Sequence, residues 1–270
     1  MDREIRVIRS RDNAQVKRLL RLATSSRERR ESGMTILDGA HLVEAYGKSG
    51  GTSEVVAASE SAYADPHLRA LFDQTPARTR LVLANELITR ISQVMTSSGI
   101  LAVMRTPVQQ PLADLIGSCL MIEGIQDPGN LGSILRSAAA SGVRQVFLSP
   151  GSVFAWAPKV VRAGQGAHFL LSIHENVAFG DIRPRIRAKI VATEPRARVS
   201  IFEADLSGPI AWLLGNEGAG LSAQAAAMAT ERIRIPMPGQ AESLNVAAAA
   251  AICLFEQMRQ NLGKPQSRRT

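Results

Sequence analysis

The chain has little of what many ligand chemistries require. Only 4% of its 270 residues are aromatic, so stacking on an aromatic platform is not expected to dominate any binding surface. It has two cysteines, Cys119 and Cys253. Neither has a Cys or His neighbour at metal-ligand spacing, and both read as buried, reduced thiols. His41, His67, His168 and His174 are scattered along the chain, so no metal site is expected. The longest apolar run, Val246 to Phe255, falls well short of the roughly 18 residues of a membrane span. The amino terminus, "MDREIRVIRSRDNAQVKR", lacks the apolar segment of a secretory signal. These absences leave a soluble protein of the cytoplasm as the expectation.

What is present in excess is positive charge. Lys and Arg number 32 against 24 Asp and Glu, a net charge of +8. A basic surface can serve solubility alone, but it also suits a polyanionic partner, since Lys and Arg contacts to phosphate supply most non-specific nucleic-acid affinity. The distribution favours the second reading. Arg3, Arg6, Arg9, Arg11, Lys17, Arg18, Arg21, Arg27, Arg29 and Arg30 crowd into the first thirty residues. "RPRIRAK" at Arg183 to Lys189 and the tail "KPQSRRT" add two further clusters.

The pattern predicts two α/β domains. Apolar Val16, Leu19, Leu20 and Leu22 recur at helical spacing within a basic stretch from Asn13 to Arg30. Strand-like "SEVVAAS", "RLVLAN" and "ILAVMR" then alternate with helices over Pro66 to Gln74 and "ELITRISQVMTSSG". This gives a first domain over 1–105. "TPVQQPLADL" carries two prolines and little pattern, which suits a linker over 106–116. A second series follows over 117–262, ahead of a basic tail at 263–270. Its strands "CLMIEGI", "VRQVFLSP", "AKIVATE", "IAWLL" and "ERIRIPM" alternate with helices and indicate a mainly parallel sheet covered on both faces.

Ligands of parallel α/β sheets sit outside the carboxyl ends of the strands. Three loops of the second domain follow strands there: "DPGNLGS", "GNEGAGLS" and "PMPGQAESLN". The middle one invites a phosphate reading, yet it is neither G-x-G-x-x-G nor a P-loop. It also sets Glu217 where a phosphate would lie, so a neutral or cationic ligand fits better. The first loop offers Asn130 and, on the following helix, Arg136, which shares a face with Ser133 and Ala140. The third offers Ser243 and Asn245. Taken singly, each has a plain reading as a surface group or a helix cap.

In order and spacing, "NLGSILRSAAASG", "LLGNEGAGLS" and "IPMPGQAESLNVAAAAAICLFEQ" resemble the three motifs of the SpoU (TrmH) class of RNA ribose 2′-O-methyltransferases, members of the SPOUT superfamily. "APKVVRAGQGAHF" is similar to the segment between motifs one and two. "NAQVKRLLRLATSSRERRESGMTILDGAHLVEA" resembles the small substrate-binding domain of many members. The resemblance implies a small N-terminal α/β RNA-binding domain like a ribosomal protein, and a C-terminal α/β domain with a trefoil knot. It implies S-adenosylmethionine bent in that knot, held around Gly215, Ile235 and Leu244, with Thr193, Leu214, Asn216, Gly218, Met237 and Ser243 completing the pocket. Asn130, Arg136, Glu217, Ser243 and Asn245 become the expected catalytic set. Arg136 is assigned the hydroxyl-activating role, although a guanidinium is a poor base at neutral pH and is better suited to steadying a developing alkoxide. Glu217 is expected to fix loop geometry or to orient Arg136.

The resemblance also implies a homodimer with each active site at or near the interface. RNA, preferentially ribosomal, is the expected substrate. Arg11, Lys17, Arg18, Arg27, Arg29, Arg30 and Arg162 are its expected contacts. A transfer RNA 2′-O-methyltransferase, or a non-catalytic RNA-binding assembly factor of the same fold, remains the alternative.

Overall fold

In a computed structural model, which describes residues 7–92, 94, 96–109, 117–240 and 242–262, the basic stretch after Asn13 forms two helices rather than one. After a two-residue strand β1 (Val7–Ile8), Asn13 caps helix α1 (Ala14–Thr24) by accepting from the Gln15 N–H at 2.9 Å. The chain leaves the helix at Ser25, whose hydroxyl accepts from the Glu28 N–H and starts α2 (Ser26–Ser32). The S-x-x-E spacing is that of a capping box, and this local restart outcompetes continuation of the first helix.

The remaining elements of this unit are β2 (Met34–Asp38), α3 (Ala40–Lys48), β3 (Ser53–Ser59), α4 (Glu60–Ala64), α5 (Pro66–Gln74), β4 (Ala77–Leu83), α6 (Asn85–Ile91) and β5 (Ile100–Arg105). The sheet order is β1-β4-β3-β5-β2. The β1, β4 and β3 strands pair in parallel, whereas β5 runs antiparallel to both β3 and β2. The core joins Leu19 and Leu22 of α1 to Leu87, Ile88 and Ile91 of α6 over Val55, Ala57, Leu101 and Val103 of the sheet. The helix expected over 86–99 ends at Ile91. Ser92 caps it with its N–H to the Ile88 carbonyl and donates its hydroxyl to Asp38 Oδ2 at 2.8 Å.

The second unit contains β6 (Cys119–Ile122), α7 (Pro128–Ser141) and β7 (Gln145–Leu148). The next helix, α8 (Pro158–Gly164), groups with the first unit instead, as does the whole of Trp156–Phe169. It packs on β2, and Arg162 pairs with Asp38 at 3.1 Å. The sequence reading left this segment inside the second domain, because contiguity along the chain carries no information about which sheet a helix covers. The second unit resumes with β8 (Ser172–His174), α9 (Phe179–Ile182), β9 (Lys189–Thr193), β10 (Val199–Ser200), β11 (Ile210–Leu214), α10 (Ala223–Ala226), β12 (Glu231–Arg234) and α11 (Val246–Leu262). Its sheet order is β10-β12-β9-β11-β6-β7-β8, parallel at every pairing.

The central strands β6 and β11 are buried on both faces, as a helix-covered parallel sheet requires. On one face Cys119, Met121, Ala211 and Leu213 meet Phe179, Ile182 and Ala225. On the other, Trp212 donates to Gln257 of α11, and α11 in turn packs against α7. Both cysteines are buried, and burial pushes each thiol pKa up to about 12. Part of the expected linker (110–116), the basic tail (263–270), and Arg3 and Arg6 lie outside the described residues.

Candidate active site

Because β12, β9, β11 and β6 are adjacent and parallel, the loops that follow them emerge at one edge of the sheet. There they line a cleft of about 460 Å³. Of the expected cofactor residues, all eight positions besides Ser243 border it: Thr193, Leu214, Gly215, Asn216, Gly218, Ile235, Met237 and Leu244. Ser243 borders it as well, with Asn130, Glu217 and Asn245 of the expected catalytic set.

Gly215 opens the Gly-rich loop in a position that admits no side chain. A Cβ there would stand 2.3 Å from the Gly220 carbonyl carbon and 2.5 Å from the Leu221 nitrogen, backbone atoms that cannot rotate away. The loop folds back on itself through paired backbone hydrogen bonds between Asn216 and Gly220. Asn216 closes it further, accepting from the Gly218 and Ala219 N–H groups and donating to the Gly124 carbonyl at 2.6 Å. Its side chain therefore shapes the cleft wall. Glu123, just past β6, clamps the far end of the same loop by accepting from both the hydroxyl and the N–H of Ser222.

Three of the catalytic candidates form one chain of hydrogen bonds across the three loops. Asn245 donates its Nδ2 to Asn130 Oδ1 at 2.8 Å, and Asn130 donates its Nδ2 to Glu217 Oε1 at 3.2 Å. Each end is anchored to backbone. Asn245 Oδ1 accepts from the Ala247 N–H and so starts α11, while Glu217 accepts from the Asp127 and Gln126 N–H groups. Asp127 in turn caps α7 through the Asn130 N–H at 2.7 Å. Partial burial raises the Glu217 pKa. The hydrogen bonds from its own backbone, Asn130, Asp127 and Gln126 outweigh that and leave it below the usual carboxylate value. The group is thus held ionised.

Arg136 is not brought to this cleft. It lies on the exposed face of α7 and has no hydrogen bond or ion pair among the described residues. Within one chain Glu217 bonds Asn130, and through it Asn245. The expected RNA contacts divide in the same way. Arg11, Arg27 and Arg30 are exposed, as is Lys17, which pairs with Asp12, and Arg18 is half-buried. Arg29 is a correction: only 6% exposed, it donates to the Leu22 and Ala23 carbonyls and ties α2 to the end of α1. Arg162 is engaged by Asp38 within the first unit.

Sequence reasoning missed Glu194 and Pro195, which border the cleft after β9, and the Glu123 clamp. The carboxyl end of "AKIVATE" was a signal for the first pair, since that strand belongs to the same parallel series. Glu194 also pairs with Arg232 at 3.4 Å. Among the described residues no group of His, Cys, Asp or Glu could hold a metal ion.

The family model described as SpoU rRNA Methylase family matches residues 117–255. The 23S rRNA (guanosine(2553)-2′-O)-methyltransferase RlmP of Bacillus subtilis is 32% identical, covering 92% of this chain and 97% of its own. A crystal structure of an RNA 2′-O ribose methyltransferase superposes with a TM-score of 0.82 at 30% identity, covering 95% of this chain and 100% of the other. That of an AdoMet-bound rRNA methyltransferase from Sinorhizobium meliloti gives a TM-score of 0.81 at 26% identity, over 94% and 98% of the two chains. The mixed α/β architecture is that of SPOUT methyltransferases, and the chain belongs to the SpoU rRNA methylase family.

Proposed function

We propose that this protein transfers a methyl group from S-adenosylmethionine to a ribose 2′-hydroxyl of RNA, with ribosomal RNA as its substrate. The observation that carries the reading is the hydrogen-bonded chain from Glu217 through Asn130 to Asn245, which joins three loops around one cleft. Its relatives named as rRNA 2′-O-methyltransferases support the activity and the substrate class.

The cleft residues fit the cofactor. Leu214, Ile235, Met237 and Leu244 offer apolar surface to an adenine ring, and the Gly215 backbone can be approached closely. The Glu194 and Glu217 carboxylates suit a cationic sulfonium and repel a phosphate. When bound, S-adenosylmethionine supplies an already activated methyl group. What remains for the protein is orientation of the attacking hydroxyl and help with one proton. Asn130 and Asn245 hold the loops at fixed separation, and the Ser243 hydroxyl stands exposed at the cleft.

Arg136 belongs to a homodimer in this reading. A second copy seated on the α7/α11 face would cover Phe255 and Leu262, which are 42% and 76% exposed, and would bring an Arg136 guanidinium to a cleft it does not line within one chain. There it steadies the developing alkoxide. A trefoil knot in the second unit is part of this reading, as likeness to the SpoU family implies. The first unit, through Arg11, Lys17, Arg18, Arg27 and Arg30, supplies RNA affinity in the manner of a ribosomal protein. A cytoplasmic location fits the bacterial relative named as an rRNA methyltransferase. No helix among the described residues is long and apolar enough to cross a membrane.

The test is incubation with tritiated S-adenosylmethionine and unmodified ribosomal or transfer RNA, followed by mapping of 2′-O-methylribose. Label in ribosomal RNA is expected. Label confined to transfer RNA would overturn the substrate, and label on a base would overturn the reaction.

A further inference from the structure

The first unit has a cavity of its own, with a volume of about 360 Å³, within the size range of small-molecule sites. Its floor is aliphatic and comes from two helices that pack together: Val16 and Leu20 from α1, Leu87 and Ile91 from α6. Each pair is spaced i, i+4, so each lies on one helix face. Its rim is cationic. Arg11, Lys17 and Arg90 border it against a single acidic group, Asp12. Lys17 holds Asp12 at 2.8 Å, whereas the exposed Arg90 makes no hydrogen bond or ion pair among the described residues.

The combination selects a ligand. A free phosphate would be drawn to the cations but would gain nothing from four aliphatic side chains, which offer it no hydrogen bond. A purely apolar ligand would leave the rim cations without a counter-charge. An amphipathic anion satisfies both, and in an RNA-binding protein that anion is a nucleotide whose base has left its stack. Leu20, the half-buried member of the floor, meets the base, a guanidinium can lie over the base face, and the cations take the flanking phosphates. Sequence composition argued against an aromatic platform, and this floor supplies an apolar surface without one.

Resting on the reading of the chain as an RNA methyltransferase, we infer that the cavity between α1 and α6 captures one unstacked nucleotide of the RNA substrate, with Arg90 and Arg11 as its phosphate and base contacts. The capture would fix the RNA at a point other than the methylated ribose, so that the first unit selects a site and does more than supply general charge.

The test uses the full-length protein and an unmodified ribosomal RNA transcript. Affinity is measured over a range of salt concentrations, alongside S-adenosylmethionine affinity and methyl transfer. Arg90→Glu is expected to weaken RNA binding about tenfold and to flatten the salt dependence by about 0.7 in log–log slope, one single-strand phosphate contact. Leu20→Asn, at a half-buried position that the fold can accommodate, is expected to weaken binding several-fold with the slope unchanged. Arg69→Glu, elsewhere on the first unit, serves as the control for diffuse charge. Cofactor affinity should stay constant throughout, which separates these effects from misfolding.

If Arg90→Glu binds no worse than Arg69→Glu while the wild-type enzyme methylates the transcript, the pocket is overturned and the enzyme reading stands. If Arg90→Glu weakens binding but Leu20→Asn does not, the contact is to phosphate alone and the nucleotide assignment falls. If the wild-type protein binds cofactor but methylates neither ribosomal nor transfer RNA, the underlying reading is overturned.

Discussion

Two polar networks hold α11, one at each end, and they differ in almost every physical respect. At its amino end Asn245 joins Asn130 and Glu217 at an exposed cleft. Toward its carboxyl end the buried Gln257 accepts from Trp212 Nε1 and donates to Ser118 Oγ and the Gly208 carbonyl, each at 2.8 Å. The buried network uses both ends of its amide on protein partners, while Ser118 also receives the Ile210 N–H. In the exposed one, solvent can stand in for a lost partner. The first therefore fixes the register of α11 on the sheet, and the second fixes where three loops sit. Stability and catalysis should be separable along a single helix.

The largest expected effect is on the buried side. Gln257→Ala would strand the Trp212 N–H in the core and leave a void, at a cost of about 3 kcal/mol in denaturant unfolding. An effect below about 1 kcal/mol would erase the contrast between the two ends. Next comes Gly215→Ala, where the added methyl meets backbone at 2.3 Å. Calorimetric titration should show cofactor affinity reduced about a hundredfold, with S-adenosylmethionine ceasing to protect the protein against heat.

Asn245→Ala should split the readouts. Loss of the α11 cap costs about 1 kcal/mol of stability, whereas methyl transfer should fall by at least about tenfold as the loops lose their link. Comparable small losses in both would mean that the asparagine is only a cap. The smallest effect concerns Glu217. Its folded-state pKa is lowered, so its contribution to stability is present above the unfolded value of about 4.3 and is lost as pH falls through the folded one. Wild type and Glu217→Gln should accordingly differ in stability near neutrality and converge in acid. A difference that persisted below both pKa values would assign the effect to shape, not charge.

The same contrast explains what could be read from the sequence. The parallel second sheet was legible because its strands, "CLMIEGI" and "IAWLL" among them, are apolar runs separated by helices. The cleft was legible because Glu217 and Asn245 sit in loops that follow strands and Asn130 lies in the first turn of the helix after β6. Arg29 misled, since one-dimensional charge gives no sign that a guanidinium turns inward onto carbonyls of the preceding helix. The break at Ser25 was masked by the basic residues that run on through Arg30, although the apolar spacing stops at Ala23 and Ser25 and Glu28 already spelled the cap. Arg136 shows a different limit. Spacing gave its face of α7 correctly, with Ser133 and Ala140 exposed beside it, but not what that face meets.

The two thiols have a practical consequence. Cys119 and Cys253 are the chain's only cysteines, and the thiolate is the form that reacts with alkylating and maleimide reagents. With both pKa values pushed up to about 12, the native protein is close to a cysteine-less background. A single cysteine introduced on an exposed surface could be labelled selectively without first removing the buried pair, leaving the packing of β6 and α11 undisturbed.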